Sequence, residues 1–199
     1  DIVDGPIDSI EETSELPTGH IGEILVRGKH VSPEYYLDPD ATRKNKVPDR
    51  QGDWHRFGDV GYLDAQSRLW VCGRVSQRVK AESGNVFPLQ VEPLFDAHPK
   101  VRRSGLVGVP GLAGELPVLC VEVEPDVGKD ELPGLRHDLL ARAADSDMAN
   151  TIHAILFKDA LPVDPRHNSK IERPRLAKWA ARQLSGPRFR SHPAAETSI

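Results

Sequence analysis

Apolar and polar positions change rhythm along the chain. Residues 21–27 alternate and are rich in branched side chains, with Pro17 and Gly19 before them and Gly28 after, which predicts a half-buried strand. A Pro among acidic residues over 37–42 marks the start of a short helix. Residues 54–57 and 60–63 read as two short strands, and a polar turn at 64–67 leads to a third at 68–72. Three strands so closely spaced form a meander, which needs a packed face to be stable.

The texture changes around Gly73. Residues 77–81 and 85–87 flank Glu82, Ser83 and Gly84 as the arms of a hairpin, with Gly84 supplying a positive φ. After Pro88, Leu89, Val91, Leu94 and Phe95 recur at roughly helical spacing until His98 and Pro99 stop the run. Residues 101–109 and 116–123 read as buried strands joined by a Gly-rich turn. Over 130–144, Leu132, Leu135, Leu139, Leu140 and Ala143 fall on one helical face. Residues 151–157 form another strand. A last helix over 174–184 turns Leu176, Trp179, Ala180 and Leu184 inward. From Gly186 onward periodicity is lost, and the tail at 186–199 is expected to fray. The fold class is therefore α+β: a small β module at 1–72, a connector at 73–76, and a compact α+β module at 77–185.

Composition removes several function classes. The chain has 199 residues, 26 Lys+Arg and 30 Asp+Glu, a formal charge of −4, and 38% hydrophobic residues. That suits one sizeable core or two small ones. The mildly acidic balance argues against general nucleic-acid binding, which needs an excess of phosphate-neutralising charge. No apolar run approaches the ~18–20 residues that span a bilayer, and residues 1–10 lack a signal-peptide pattern. The one Met is Met148, so the sequence reads as a piece of something longer. Cys72 and Cys120 sit in apolar runs and are expected as buried thiols in a reducing cytoplasm. No metal ligands are expected, because the eight His are scattered without a His-x-x-x-His or Cys-x-x-Cys pair. There is no Gly-x-Ser-x-Gly and no Gly-rich phosphate loop.

Three polar constellations interrupt the scaffold. Arg56, Phe57, Gly58 and Asp59 place a carboxylate at a strand end, suited to accepting hydrogen bonds from vicinal hydroxyls; taken alone, an Asx turn explains it better. Gly73, Arg74, Val75 and Ser76 combine torsional freedom with a forked donor for phosphate or ribose oxygens, or form a plain linker with a solvated Arg. Arg166, His167, Asn168, Ser169 and Lys170 form a polar loop that presents an ammonium to a carboxylate or phosphate, or a solvated helix start. His167 is a candidate base, although most single loop His residues titrate in water and do nothing.

In order, these pieces resemble the C-terminal part of the adenylate-forming (AMP-binding) superfamily. Gly22, Glu23 and Ile24, with Gly28, Tyr36 and Pro39, resemble its Gly-Glu-Ile…Gly-Tyr…Pro segment. The run from His55 to Tyr62 resembles its Thr-Gly-Asp motif, 73–80 its hinge motif, and Asn168, Ser169 and Lys170 its late lysine motif. The ordered match covers about residues 18 to 185. Within the superfamily, the wording at 56–66, 70–74, 76–79, 91–95 and 162–171 is similar to the β-lactone synthetases of bacterial long-chain olefin biosynthesis. Ser76 stands where many relatives have Asp or Lys, Val86 where many acyl-CoA ligases have Arg, and Ser169 where Gly precedes the lysine. These departures touch CoA-dependent thioester chemistry more than adenylation.

The resemblance implies an AMP-forming ligase. Residues 1–72 would end its large domain, and 77–185 would be its mobile small domain. It makes Lys170 catalytic, Asp59 and Arg74 nucleotide-binding, and Ser76 the hinge. ATP and Mg2+ would be held mainly by the large domain, the substrate would be a long-chain 3-hydroxy acid, and other olefin-pathway enzymes could be partners. The chain alone would not catalyse adenylation. The alternatives are part of an acyl-CoA ligase, or a non-catalytic truncated module.

Overall fold

Strand β3 (Trp54–Leu63) is the axis of the first part of the chain. The computed structural model describes residues 2–185, without the side chains of residues 167–169; the tail at 186–199 lies outside the described residues. The chain divides into two compact units, Asp1–Ser76 and Gln77–Ile199.

In the first unit, β1 (Gly22–Val26) runs antiparallel to β3, with Gly22 opposite Gly61 and Val26 opposite His55. Short β2 (Lys46–Val47) pairs with the start of β3, and β4 (Leu69–Arg74) with its end. Both His55 and Gly61 have partners on two sides, so β2 and β4 share the edge of β3 opposite β1. The expected pair of strands at 54–57 and 60–63 is thus one strand. Gly58, at φ +72, bends the backbone there without ending the pairing. The expected three-strand meander is a four-stranded sheet around β3. Helix α1 (Pro39–Asn45) starts at Asp38, whose carboxylate accepts the Ala41 N–H at 2.9 Å, with Pro39 in the first turn.

An ion pair sits inside this unit. Arg56 donates to Glu23 Oε1 at 3.0 Å and Oε2 at 2.7 Å, and the two side chains are only 6% and 3% exposed. The same guanidinium donates to the carbonyls of Val3, Gly5 and Lys44, tying the N-terminal segment and α1 to the sheet. Arg56, which the sequence groups with the polar site, is therefore a structural residue.

The second unit opens with the hairpin β5 (Val79–Ala81) and β6 (Gly84–Val86), where Ala81 faces Gly84. Then come α2 (Pro88–Asp96), β7 (Val101–Pro110), β8 (Glu115–Val123), α3 (Leu132–Ala144) and β9 (Ala154–Phe157). β7 and β8 are antiparallel from Val101 opposite Val123 to Pro110 opposite Glu115. β9 joins parallel to β8 through the α3 crossover, giving the order β7-β8-β9. Alternation along the strands splits the core in two. Leu106, Leu119 and Ile155 pack with Val91 and Phe95 of α2 and with Leu135 and Leu139 of α3. Val107, Val118 and Cys120 pack with Leu161 and with Leu176 and Ala180 of α4 (Arg173–Ser185). Each fully buried Leu or Phe contributes about 1.5–3 kcal/mol of burial, so these two clusters hold the unit together.

Three details differ from the sequence reading. Leu140 is 42% exposed, because α3 buries only the stripe through Leu135, Leu139 and Ala143. The polar loop expected at 166–170 is strand β11 (His167–Ile171), paired with β10 (Val163–Asp164). Gly73 and Arg74, taken as the start of a linker, are the last two residues of β4. Both cysteines are buried free thiols, and burial pushes the Cys120 thiol up to about 12.

Candidate functional site

Asp59 and Arg74 are brought together by register. They stand directly opposite each other on β3 and β4, and Arg74 Nε lies 3.0 Å from Asp59 Oδ1. Arg74 Nη2 also donates to the Phe57 carbonyl at 2.5 Å, so the guanidinium spans the bend at Gly58. The side chains of Arg74 and Asp59 are 53% and 39% exposed, so both can meet a solute from solvent. Among the described residues, the Asp59 carboxylate has no hydrogen-bond partner other than Arg74. It accepts no nearby backbone N–H, so the Asx-turn reading does not hold. A carboxylate offers about four lone-pair sites, and most of those on Asp59 stay open to hydroxyl donors. A fully solvated, linker-like Arg74 is likewise ruled out.

Ser76 is exposed in a single 3-10 turn, Val75–Gln77, and is the last residue of the first unit. Lys170 belongs to the second unit. It sits on β11 in a hairpin where Asp164 faces His167 and Val163 faces Ile171. Asp164 closes the turn by accepting the Arg166 N–H at 2.8 Å, and the Glu172 N–H bonds to the Pro162 carbonyl at 2.8 Å. The Lys170 side chain is exposed and forms no ion pair or hydrogen bond among the described residues. A backbone held on both strands thus carries an ammonium without a partner among the described residues. The side chains of Asn168 and Ser169, and the candidate base His167, lie outside the description.

Sequence reasoning missed the Phe57 carbonyl as the second partner of Arg74. No local signal marks it, because the contact spans 17 residues. Among the described residues, no group of three His, Cys, Asp or Glu side chains lies together as a metal site, and no helix is long and apolar enough to cross a membrane.

No family model matches the chain. Curated relatives do. The olefin β-lactone synthetase of Xanthomonas campestris is 43% identical over 173 residues, covering 84% of this chain and 31% of the relative. That of Stenotrophomonas maltophilia is 40% identical over 188 residues, covering 92% and 34%. The chain belongs to the adenylate-forming superfamily. This adenylate-forming chain spans about a third of the length of those curated relatives. A 4-coumarate–CoA ligase-like protein of Arabidopsis thaliana is also similar, 31% identical over 153 residues, with 74% of this chain and 26% of that one covered. Among solved structures, the amide bond synthetase McbA from Marinactinospora thermotolerans matches with a TM-score of 0.69 at 27% identity, covering 88% of this chain and 34% of that one. An ATP-bound RpMatB–BxBclM chimera matches with a TM-score of 0.70 at 26% identity, covering 89% and 34%. The α+β fold is thus that of adenylate-forming enzymes.

Proposed function

We propose that this chain is the C-terminal part of an ATP-dependent enzyme that activates a long-chain 3-hydroxy acid as its acyl-adenylate and closes it to a β-lactone. In this reading, the first unit through β4 ends the large domain, the hinge lies at Val75 and Ser76 just after β4, and 77–185 form the small domain. The reading is supported by one observation. An exposed carboxylate (Asp59) and an exposed ammonium (Lys170) without a partner among the described residues both lie within the motif-like segments of a chain 40–43% identical to olefin β-lactone synthetases.

Asp59 accepts hydrogen bonds from the ribose hydroxyls, and Arg74 adds a donor toward ribose or phosphate oxygens. The substrate carboxylate attacks the α-phosphorus of ATP, and the bond to pyrophosphate breaks. Lys170 donates to the carboxylate and α-phosphate oxygens and neutralises the charge that builds on them. Ser76 serves as the pivot for the motion that delivers and withdraws Lys170. The 3-hydroxyl of the acyl-adenylate then attacks its carbonyl carbon, the bond to the phosphate breaks, and the hydroxyl proton passes to water or the departing AMP phosphate as the four-membered ring closes. Ring closure from a free acid is uphill, so activation must come first, and holding the hydroxyl against the carbonyl makes the step an oriented unimolecular one. ATP and the Mg2+ that accompanies it are assigned mainly to the large domain, as the resemblance to adenylate-forming enzymes implies.

A CoA ligase is the second reading, supported by the similarity to the 4-coumarate–CoA ligase-like protein. The two are separated by supplying a 3-hydroxy acid and ATP, with and without CoA, to the enzyme that carries this chain together with its large domain. AMP release without CoA, alongside a β-lactone, is the expected result. AMP release that strictly requires CoA would overturn the lactone proposal.

A further inference from the structure

Three residues beyond Lys170, at the first position of α4, Arg173 reaches into the interior of the second unit. Its two terminal nitrogens face the two oxygens of Glu92 on α2, with Nη2 to Oε2 at 3.0 Å. The side chains are 16% and 10% exposed. The pair also engages backbone. Glu92 Oε1 accepts the Leu106 N–H at 2.6 Å, and Arg173 Nη1 donates to the Leu106 carbonyl at 2.9 Å. Leu106 lies in β7, the edge strand of the β7-β8-β9 sheet, so the ion pair takes the place of a missing strand neighbour there.

The next residue along β7 explains the close fit. A Cβ on Gly105 would stand 2.9 Å from Leu176 Cδ2 and 3.2 Å from Ile171 Cδ1. Gly105 lets the residues on either side of Arg173 seat on the strand without their side chains having to shift. Ile171, next to Lys170, is held by packing, and Arg173 by two charge-assisted prongs and a carbonyl. The ammonium between this anchorage and the β10–β11 turn has no partner among the described residues.

We infer that the Glu92–Arg173 pair is the positioning device for Lys170: it fixes the root of β11 on the rigid edge of β7 so that the ammonium is presented in one place. Neither residue touches the reacting atoms, so both are positioning residues. The inference rests on the role proposed above for Lys170. Its physical warrant is that small misplacements of a reacting group, on the order of 1 Å, can cost about 10²-fold in rate.

The test uses Arg173→Lys, which keeps the charge but loses the fork, and the double variant Glu92→Leu/Arg173→Met, which removes both buried charges together so that neither is stranded. In the 199-residue chain, amide hydrogen exchange is read at residues 163–171 and, as reference, at residues 118–121 of β8. Exchange at 163–171 should quicken by about tenfold or more in each folded variant while the reference amides stay as in the wild type. Equal acceleration at both places would make the pair a general stabiliser and overturn the inference, as would unchanged exchange at 163–171. In the enzyme that includes the large domain, kcat for ATP–pyrophosphate exchange should fall toward 10²-fold, with KM for ATP moving by no more than about twofold. Wild-type kcat in Arg173→Lys, with Lys170→Ala inactive, would refute the positioning role alone. Wild-type kcat in Lys170→Ala would instead refute the function on which it rests.

Discussion

Replacing Arg56 by Met should cripple the first unit. Arg56 and Glu23 are 6% and 3% exposed at their side chains, so the pair is almost fully withdrawn from water. Removing one partner strands the Glu23 charge, a loss of about 3–5 kcal/mol. The carbonyls of Val3, Gly5 and Lys44 lose their donor at the same time. A unit spanning Asp1–Ser76 holds roughly 4–11 kcal/mol at ~0.05–0.15 kcal/mol per residue, so the variant consumes about a quarter or more of the total. Urea unfolding followed by tryptophan fluorescence reads this directly. Trp54 and Trp70 report on the first unit, and Trp179 on the second. With a slope of roughly 1–1.5 kcal/mol per M, the first transition should fall by about 2–5 M, or be absent, while the Trp179 transition stays put. Arg43→Met is the control, since Arg43 and Asp8 pair at 3.5 Å with both side chains 70% exposed; it should cost less than about 1 kcal/mol. An Arg56→Met shift no larger than that of the control would refute the claim that the buried pair holds this unit together.

Two further outcomes follow from the same reasoning. In the enzyme that includes the large domain, Asp59→Ala should weaken ATP binding by about 10- to 10²-fold, as expected for hydrogen bonds to a charged acceptor worth about 1.5–3 kcal/mol; unchanged affinity by calorimetry would remove the ribose role. Asp64 should titrate at about 2, held there first by the Trp70 indole N–H and then by the Arg68 backbone N–H. Because the folded value lies below the ordinary 3.8, the unfolded chain takes up this proton first as pH falls. The contribution of Asp64 to stability is therefore full above 3.8 and is lost on descent toward 2; an NMR carboxyl titration with a midpoint near 3.8 would contradict it.

Periodicity carried much of the fold and little of the site. The alternation at 21–27, the Pro with acidic residues near 39, and the helical spacing through Val91 and Phe95 and through Leu135 and Leu139 correspond to β1, α1, α2 and α3. What stayed hidden was short, polar or long-range. β2 is two residues long, and β10–β11 is a polar hairpin without an apolar stripe. Gly58 looked like a strand end because Gly usually punctuates, whereas here it bends a strand whose pairing continues. The buried pairs join residues 33 and 81 apart in sequence, Glu23 with Arg56 and Glu92 with Arg173, and no local pattern announces either. Asp59, Arg74 and Lys170 were legible as residue types in motif order. Their geometry was not: the cross-strand register that sets Asp59 on Arg74, and the hairpin that holds up Lys170, are products of tertiary pairing.

In the proposed function, the Lys170 ammonium meets the reacting carboxylate and α-phosphate during adenylation. ATP–pyrophosphate exchange in Lys170→Ala, measured in the enzyme that joins this chain to its large domain, tests it most directly. Exchange should fall by at least about 10²–10³-fold, the cost of losing one such charge-stabilising contact, while ATP still binds. Exchange at the wild-type rate would contradict the account.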